Sequence, residues 1–483
     1  IDEDLYKSPP SLLIGTVDKF ARLSWTGETR SLFGIGPDGS RYASPPGLII
    51  QDELHLISGP LGSMVGLYET TIERLCTEND HKPKIICSTA TIRRYEKQVE
   101  ALYGRTASAV FPPPGLSADD SFFARTAVGE DGKYLPGRLY VGVHAPGLQS
   151  MQTAQVRTIS ALLQGAQDLP EHLRDPWWTP LVFFNSLREL GTTLSLVQSD
   201  IPDYLDAIRS RRAIPWADLR TLENPIELTG RITSEDVPKA LAALRQRYSP
   251  KKSAAVDLCL ASNMVEVGVD VPRLSLMVVV GQPKSTSAYI QASGRIGRNW
   301  RKKPGLVVTI YGASKPRDRS HFEKFRTYHE RLYAQVEPLS VTPMSDPALE
   351  RALHAVMLSY VRQVSPNEVA GSPRPYSDWD ALLTGFEQMI ATRAEVVAPH
   401  QLPAITRLLA ARRDEWRRWN RAEWGKPFNH SEEVPLMVSA GSYTPPLWRD
   451  VVWQVPTSLR NVDQECEIDV PIQDLSLGND ADV

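Results

Sequence analysis

The sequence is poor in cysteine and has no long apolar run. It holds 4 cysteines among 483 residues. They are too scattered for a metal knuckle or a disulfide framework, so a reducing cytoplasm is the expected location. No apolar stretch approaches the ~20 residues that cross a bilayer, and no membrane contact is expected.

A strong charge of either sign is also lacking. The 54 Lys and Arg against 57 Asp and Glu leave a formal net charge of −3. This balance argues against a basic sheath, so any affinity for nucleic acid has to come from a local groove. The length predicts two or three domains, and the 42% of hydrophobic residues suffices for their cores.

Strand and helix signals alternate along the chain. Residues 61–75 show helical spacing, and strands are predicted at 12–15, 48–51, 84–88, 139–143, 181–184, 226–229, 256–260, 274–280 and 306–311. The alternation predicts a parallel sheet with helical crossovers. Residues 24–46 are rich in glycine and proline and are predicted to form an inserted surface loop.

The pattern changes after residue 311. Helices rich in Trp and Arg are predicted over 318–425, followed by short β-like segments such as 451–455. Residues 406–421 form a basic amphipathic helix candidate. Arginine and tryptophan together can bind nucleic acid, but a solvated face over a tryptophan-anchored core is the commoner arrangement and is preferred here. His321 and His329 are interpreted as surface or packing residues, because no cysteine or carboxylate set stands at metal spacing.

An acidic pair, Asp52 and Glu53, directly follows an apolar run at residues 48–50. Adjacent acids are usually solvated surface charge. Here the preceding run is predicted to be a buried parallel strand, which puts both acids at its carboxyl end, where open α/β sheets bind ligands. One carboxylate can hold the water shell of Mg²⁺, and its neighbour can orient an attacking water.

The stretch Gln291-Ala-Ser-Gly-Arg-Ile-Gly-Arg298 forms the complementary motif. A flexible basic loop is one interpretation. However, residues 286–293 are predicted as a short helix that leads into the arginines. A glutamine and two arginines held by glycine turns can bind a triphosphate where negative charge develops during phosphoryl transfer.

These two motifs stand in an ordered series between residues 12 and 312. The series resembles the superfamily 2 helicases of the DExH type. The matching segments are 12–20 for the nucleic-acid-contacting segment, 52–55 for the Walker B box, 88–92 for the Ser-Ala-Thr coupling motif, 181–186 for motif IV, 228–232 for the segment after it, 261–270 for motif V and 291–298 for motif VI.

The resemblance implies an α/β fold with two RecA-like parallel-sheet lobes, the first incomplete, and a mainly helical accessory domain with some β structure. The predicted limits are 1–148 for the partial first lobe, which is the helicase ATP-binding domain. The second lobe, which is the helicase C-terminal domain, is predicted over residues 149–315. The accessory domain is predicted over residues 316–483.

The resemblance also implies the roles of individual residues. ATP and Mg²⁺ would be served by Asp52, which holds the metal through water, and by Glu53, His55, Gln291, Arg295 and Arg298. Gly268, Asp270 and Gly294 would lie near the nucleotide. The coupling residues would be Thr89, Ala90 and Thr91, and backbone phosphates would be held, without reading of sequence, by Thr16, Asn185, Thr229 and Asn263.

Three longer stretches, 51–62, 318–329 and 456–463, resemble more narrowly the helicase subunit of the DISARM phage-defence system of bacteria. This narrower resemblance implies antiviral defence. It also implies action on DNA, as a single strand or a duplex junction, and a companion protein with a DUF1998 domain.

One departure from the family pattern concerns the phosphate loop. A Walker A loop needs glycines, a lysine and a hydroxyl residue, yet the sequence contains no Gly-Lys-Ser or Gly-Lys-Thr and begins with Ile1. We therefore expect a partial chain that lacks the start of the first lobe and does not hydrolyse ATP by itself. Two alternatives stay open, a nucleic-acid-binding scaffold without turnover and an RNA-remodelling helicase.

Overall fold

The computed structural model describes residues 2–89, 94–113, 122–123, 125–148, 150–233, 235–249, 255–262, 270–301, 303–427 and 433–459. Contacts between residues group the chain into two compact units. The first unit contains the described residues within 2–89, 94–108 and 339–459. The second unit contains those within 109–338.

The second unit is built on a six-stranded sheet in which every pair of neighbours is parallel. The strand order is β3-β8-β7-β4-β6-β5. The strands are β3 (Arg138–His144), β4 (Leu181–Phe184), β5 (Pro225–Leu228), β6 (Leu258–Ala261), β7 (Leu276–Val280) and β8 (Gly305–Tyr311). The predicted parallel sheet is therefore confirmed.

The inner strands β4, β6 and β7 are buried on both faces, as is usual for parallel sheets. Leu181 and Phe183 of β4 pack into one apolar cluster, and Val182 and Phe184 pack into the other. The helices of this unit are α4 (Met151–Asp168), α5 (Glu171–Trp178), α6 (Leu187–Gln198), α7 (Asp200–Arg212), α8 (Asp236–Arg245), α9 (Thr286–Ser293), α10 (Pro316–Glu323) and α11 (Phe325–Glu330).

The first unit combines two parts of the chain that are distant in sequence. Its strands are β1 (Leu48–Gln51) and β2 (Lys84–Cys87), which pair in parallel, and β9 (Met437–Ser439) and β10 (Trp453–Val455), which also pair in parallel. Its helices are α1 (Asp2–Lys7), α2 (Gly59–Cys76), α3 (Tyr95–Tyr103), α12 (Asp346–Val364), α13 (Asn367–Ala370), α14 (Trp379–Val397) and α15 (Leu402–Trp419).

Helix α12 forms the centre of this first unit. Of its 19 residues, 13 are buried, and it packs against α2, α14 and two 3-10 helices, Val17–Ser24 and Gly27–Phe33. Among the described helices of both units, none is long and apolar enough to span a bilayer.

One strand prediction in the first unit is wrong, and the predicted burial of a second strand is wrong. Residues 12–15 form no strand, and Leu12 and Ile14 are 74% and 87% exposed, because no described strand lies alongside to pair with them. Strand β1 is parallel as predicted, but it is not buried. Leu48 and Ile50 are 49% and 62% exposed, because β1 pairs only with β2 among the described residues.

The prediction of a surface loop over residues 24–46 is also wrong in part. Trp25 and Phe33 are buried, and the indole of Trp25 donates to the carbonyl oxygen of Pro456 at 3.0 Å. Gln363 of α12 donates to the carbonyl oxygens of Leu23 and Thr26 at 2.7 and 2.9 Å. Glycine and proline content predicts turns, but it does not reveal that a helix distant in sequence packs against them.

The domain limits at 148 and 315 stay a prediction. The grouping by contacts follows a different division, since β3 joins the sheet of the second unit and residues 316–338 belong to that unit as well. The predicted helical character of 318–425 and the β-like segment near 451–455 are found in α10 to α15 and in β10.

Candidate functional site

The acidic pair lies where two parallel strands end. Asp52 directly follows β1, and Ser88 directly follows β2, in a register that pairs Gln51 with Cys87. The carboxylate of Asp52 accepts hydrogen bonds from the Ser88 hydroxyl and from the backbone N–H of Glu53, the latter at 2.9 Å. The parallel register therefore joins the predicted acidic box to the predicted coupling motif.

Glu53 has a left-handed backbone conformation, with φ of 50°. In a residue other than glycine, such a conformation costs about 1–3 kcal/mol, and this strain can be retained at a functional site. The Glu53 carboxylate lies 3.4 Å from Nδ1 of His55, and the same nitrogen lies 3.2 Å from the Thr89 hydroxyl. Glu53 and His55 of the acidic box are thus brought together with Thr89 of the predicted coupling motif. Ala90 and Thr91 lie outside the described residues.

Gln98 of α3 is a residue of this region that the sequence did not reveal. Its side chain is buried and donates to the carbonyl oxygens of Leu54 and Ile57 at 3.1 and 2.8 Å. It therefore fixes the short 3-10 helix Leu54–Leu56 that presents His55. A glutamine within an amphipathic helix carries no sequence signal for such a contact.

In the second unit, helix α9 leads into the arginines as predicted. The Ser285 hydroxyl caps the helix by accepting from the N–H of Ala288 at 3.2 Å. Gln291 is 8% exposed, and its amide nitrogen has no hydrogen-bond partner among the described residues. A buried donor without a protein partner is costly unless a water or a ligand accepts its hydrogen bond.

The loop after this helix, Gly294 to Arg298, is here called the arginine loop. Gly297 has φ of +63°, and a Cβ built on it would lie 2.6 Å from the backbone of Gly305 in β8. Its N–H donates to the carbonyl oxygen of Leu274 at 2.9 Å. Because only glycine permits this approach, the arginine loop is a closely packed turn. The interpretation as a flexible basic loop does not fit these contacts.

Two predicted site residues meet at the end of the arginine loop. Nη1 of Arg298 lies 2.9 Å from a carboxylate oxygen of Asp270, and the two side chains are 39% and 55% exposed. Arg295 is partly exposed, and Gly294 ends α9. Gly268 lies outside the described residues. The structure therefore joins the predicted motif V aspartate to the predicted motif VI arginine.

Arg138 of β3 is a second residue that the sequence did not reveal. Its guanidinium donates from Nε to the carbonyl oxygen of Ile296 and from Nη2 to that of Gly294, both at 2.9 Å. The two carbonyl groups flank Arg295. No local pattern could have signalled this contact, because the two segments meet only through the pairing of β3 with β8.

The predicted nucleic-acid-binding residues have different surroundings. Thr16 is exposed, at the start of a 3-10 helix. Asn185 follows β4 and donates to the carbonyl oxygens of Val280 and Gly281 at 3.0 and 3.2 Å. Thr229 is fully buried, and its hydroxyl donates to Glu227. Asn263 lies outside the described residues, and the binding roles stay predictions.

Two arginines of α15 form ion pairs with acids of α14. Arg413 bonds to Asp380 and Glu387 of α14 at 2.8 and 3.2 Å, and Arg417 pairs with Asp380. Trp416 is fully buried, and its indole donates to the carbonyl oxygen of Pro373 at 2.7 Å. This arrangement agrees with the interpretation of a charged face over a tryptophan-anchored core.

No group of three or more His, Cys, Asp and Glu side chains among the described residues could share a metal ion. His321 and His329 pack in an aromatic cluster with Tyr328, as the sequence interpretation held. Burial lowers the pKa of both histidines. Their aromatic contacts favour packing roles.

Part of the chain matches a known protein family. Residues 220–299 match the family described as the Helicase conserved C-terminal domain. This domain lies within the second unit and includes Asp270 and α9. The resemblance to superfamily 2 helicases is therefore confirmed.

The narrower resemblance is confirmed as well. The chain is 39% identical over 451 residues to the DISARM protein DrmA of Bacillus paralicheniformis. The aligned region covers 86% of this chain and 39% of that protein. An ATP-dependent DNA helicase homolog, RECG1 of Arabidopsis thaliana, is 37% identical over 82 residues, or 17% of this chain and 8% of that protein. The chain thus spans about two fifths of the length of DrmA.

Among solved structures, the DUF1998 helicase MrfA bound to DNA and AMPPNP aligns with 74% of this chain and 42% of its own. The TM-score is 0.49 and the sequence identity is 19%.

Proposed function

We propose that this chain belongs to an ATP-dependent DNA helicase or translocase that acts in a bacterial anti-phage defence system in the cytoplasm. The observation that carries the proposal is the ion pair between Arg298 and Asp270, which joins two helicase motifs at one place. The relatedness to DISARM protein DrmA supports the defence role.

In the proposed reaction, the acids and the arginines both contribute to ATP hydrolysis. Glu53 orients the attacking water, and Gln291 and Arg298 stabilise the charge that develops on the transferred phosphoryl group. Gln291 suits this role because its buried amide nitrogen has no hydrogen-bond partner in the described part of the chain. His55 and Thr89 would transmit the state of the nucleotide, since both lie beside Glu53.

Asp52 fits the Mg²⁺ that accompanies ATP. Asp52 is exposed and offers a hard carboxylate ligand at a strand end. Mg²⁺ usually keeps several waters and takes one or two carboxylates together with substrate phosphates, so a single acid of this kind is sufficient. The metal, when bound, would neutralise phosphate charge.

The proposed nucleic-acid contacts are to backbone phosphates and are independent of sequence. Thr16 is the best-placed candidate, because its hydroxyl is exposed and caps no helix. Asn185, Asn263 and Thr229 are retained as candidates, with Thr229 acting through its backbone because its side chain is buried. A companion protein with a DUF1998 domain is a further proposed partner.

The experiment compares wild type, Glu53→Gln and Arg298→Ala in the full-length protein. Glu53→Gln should bind a fluorescent ATP analogue and stall hydrolysis. Arg298→Ala should lower DNA-stimulated turnover by about 10³–10⁵-fold, the usual worth of an arginine that stabilises phosphoryl transfer. Arg319→Ala is the matched control, because its only described ion pair is the exposed one with Glu323 at 3.0 Å.

Near-normal turnover in a folded Arg298→Ala protein would contradict the proposed role of motif VI. Absence of ATP turnover in the full-length wild type would favour the scaffold alternative. Stronger stimulation by RNA than by DNA would favour the RNA-remodelling alternative.

We also propose that residues 1–483 alone do not hydrolyse ATP at a useful rate, because the sequence contains no Gly-Lys-Ser or Gly-Lys-Thr to cradle the phosphates. A phosphate-release assay with and without DNA tests this expectation. Turnover by residues 1–483 that equals that of the full-length protein would contradict it.

A further inference from the structure

The side chain of Arg138 reaches the arginine loop across a strand pair. Strand β3 is aligned with β8 so that Arg138 lies opposite Gly305. A Cβ on Gly305 would lie 3.2 Å from Cγ of Arg138 and 3.3 Å from Cα of Gly297. The missing side chain at residue 305 therefore leaves the space in which Arg138 and the arginine loop approach each other.

The two hydrogen bonds of Arg138 restrain the loop on both sides of Arg295. One fixes the carbonyl of Gly294, in the peptide that enters Arg295, and the other fixes the carbonyl of Ile296, in the peptide that enters Gly297. The bond from the N–H of Gly297 to the carbonyl oxygen of Leu274 anchors the same turn to the segment that precedes β7. Together they set the direction in which Arg295 and Arg298 leave the backbone.

The start of the preceding helix is restrained separately. The Glu337 carboxylate accepts from the Thr286 N–H at 2.9 and 3.0 Å and from the Thr286 hydroxyl at 3.0 Å. An acid at a helix N-terminus is favourable. Because α9 is held by Glu337, the contribution of Arg138 is confined to the turn that follows the helix.

We propose that Arg138 is a positioning residue for ATP hydrolysis, which holds the arginine loop so that Arg295 and Arg298 point toward the nucleotide. The inference rests on the proposed function. The planar fork of a guanidinium can bind two carbonyl oxygens at once, whereas a lysine ammonium is a point donor on a flexible stem. Arg138→Lys should therefore only partly replace the native residue.

The test uses the full-length protein with the substitutions Arg138→Ala and Arg138→Lys, and Arg319→Ala as the control. In Arg138→Ala, kcat for DNA-stimulated ATP hydrolysis should fall about 10- to 100-fold, because displacement of a catalytic group by an ångström costs on this order. The KM for ATP should change far less, since the arginines are proposed to act in the transition state. Arg138→Lys should lie between Arg138→Ala and wild type.

Two further measurements separate positioning from general stability. Low concentrations of free guanidinium should partly restore kcat in Arg138→Ala and leave the Arg319→Ala control unchanged. Hydrogen exchange of the Gly297 amide should be faster in Arg138→Ala, a readout that does not depend on turnover.

Wild-type kcat in both folded Arg138 variants would overturn the inference while leaving the proposed function intact. If Arg138→Ala does not fold, wild-type kcat in Arg138→Lys alone overturns it. A full-length wild type without ATP turnover would instead overturn the proposed function, and the inference with it.

Discussion

At the scale of single residues, contacts that could not be predicted from the sequence bring the predicted local motifs together. The acidic box and the coupling motif were visible because each is a short run of unusual residues. Their junction through Asp52 and Ser88 depends on the register of two strands. Gln98 and Arg138 act at the same scale, but their partners are distant in sequence, so no local pattern could reveal them.

A buried glutamate of the first unit leads to a prediction about pH. Burial raises the pKa of Glu69 to about 7, and Glu73 adds to this effect, while Arg393 opposes it. The folded protein thus holds this proton more tightly than the unfolded chain, whose glutamate pKa is about 4.3. The resulting stability is fully present below that value and is lost as the pH rises through about 7.

Glu69→Gln should flatten this dependence. Between about pH 5 and pH 8, the free energy of unfolding of wild type should fall by on the order of 3 kcal/mol more than that of the variant. Urea unfolding at several pH values, followed by circular dichroism, measures the difference. Parallel pH profiles for the two proteins would show that Glu69 does not titrate in this range.

At the scale of elements, strands that lie within a complete sheet were predictable and isolated ones were not. Strands β4, β7 and β8 are apolar runs buried on both faces, and their sequences predict them well. Residues 12–15 have a similar composition, but an apolar run becomes a strand only where a neighbour supplies hydrogen bonds. The prediction of a surface loop over residues 24–46 was wrong in part for the opposite reason, because there α12 does supply hydrogen-bond and packing partners.

Helix α15 gives a prediction about nucleic acid. Arg417 pairs with the exposed Asp380, so Arg417→Ala should leave DNA affinity unchanged and have little effect on stability. Thr16→Ala should weaken binding of all DNA sequences alike. Fluorescence anisotropy at two salt concentrations tests both variants. Loss of binding in Arg417→Ala alone would place the DNA contact on α15.

At the scale of the whole molecule, the α/β class and the parallel sheet were predictable because alternating strand and helix signals allow few other architectures. The grouping of distant segments was not. The first unit joins residues before 108 to residues after 339, and this depends on packing around α12. Periodicity in a single sequence does not report which elements touch.

The last prediction concerns the C-terminal limit of the second unit. Residues 109–338 contain all six strands and the two apolar clusters, so we expect them to fold alone. A chain that stops at 315, the predicted domain limit, would lose Tyr328, Leu332 and Val336, which are 7%, 7% and 3% exposed in one cluster.

Burying one such side chain contributes about 1.5–3 kcal/mol. The loss of three is therefore comparable with the whole stability of a domain, which is about 5–15 kcal/mol. Residues 109–338 should give a monodisperse protein with cooperative thermal unfolding, and residues 109–315 should aggregate or unfold without cooperativity. Size-exclusion chromatography and circular dichroism compare the two directly. Equal stability of the two chains would contradict the role assigned to residues 316–338 and would support a domain limit at 315.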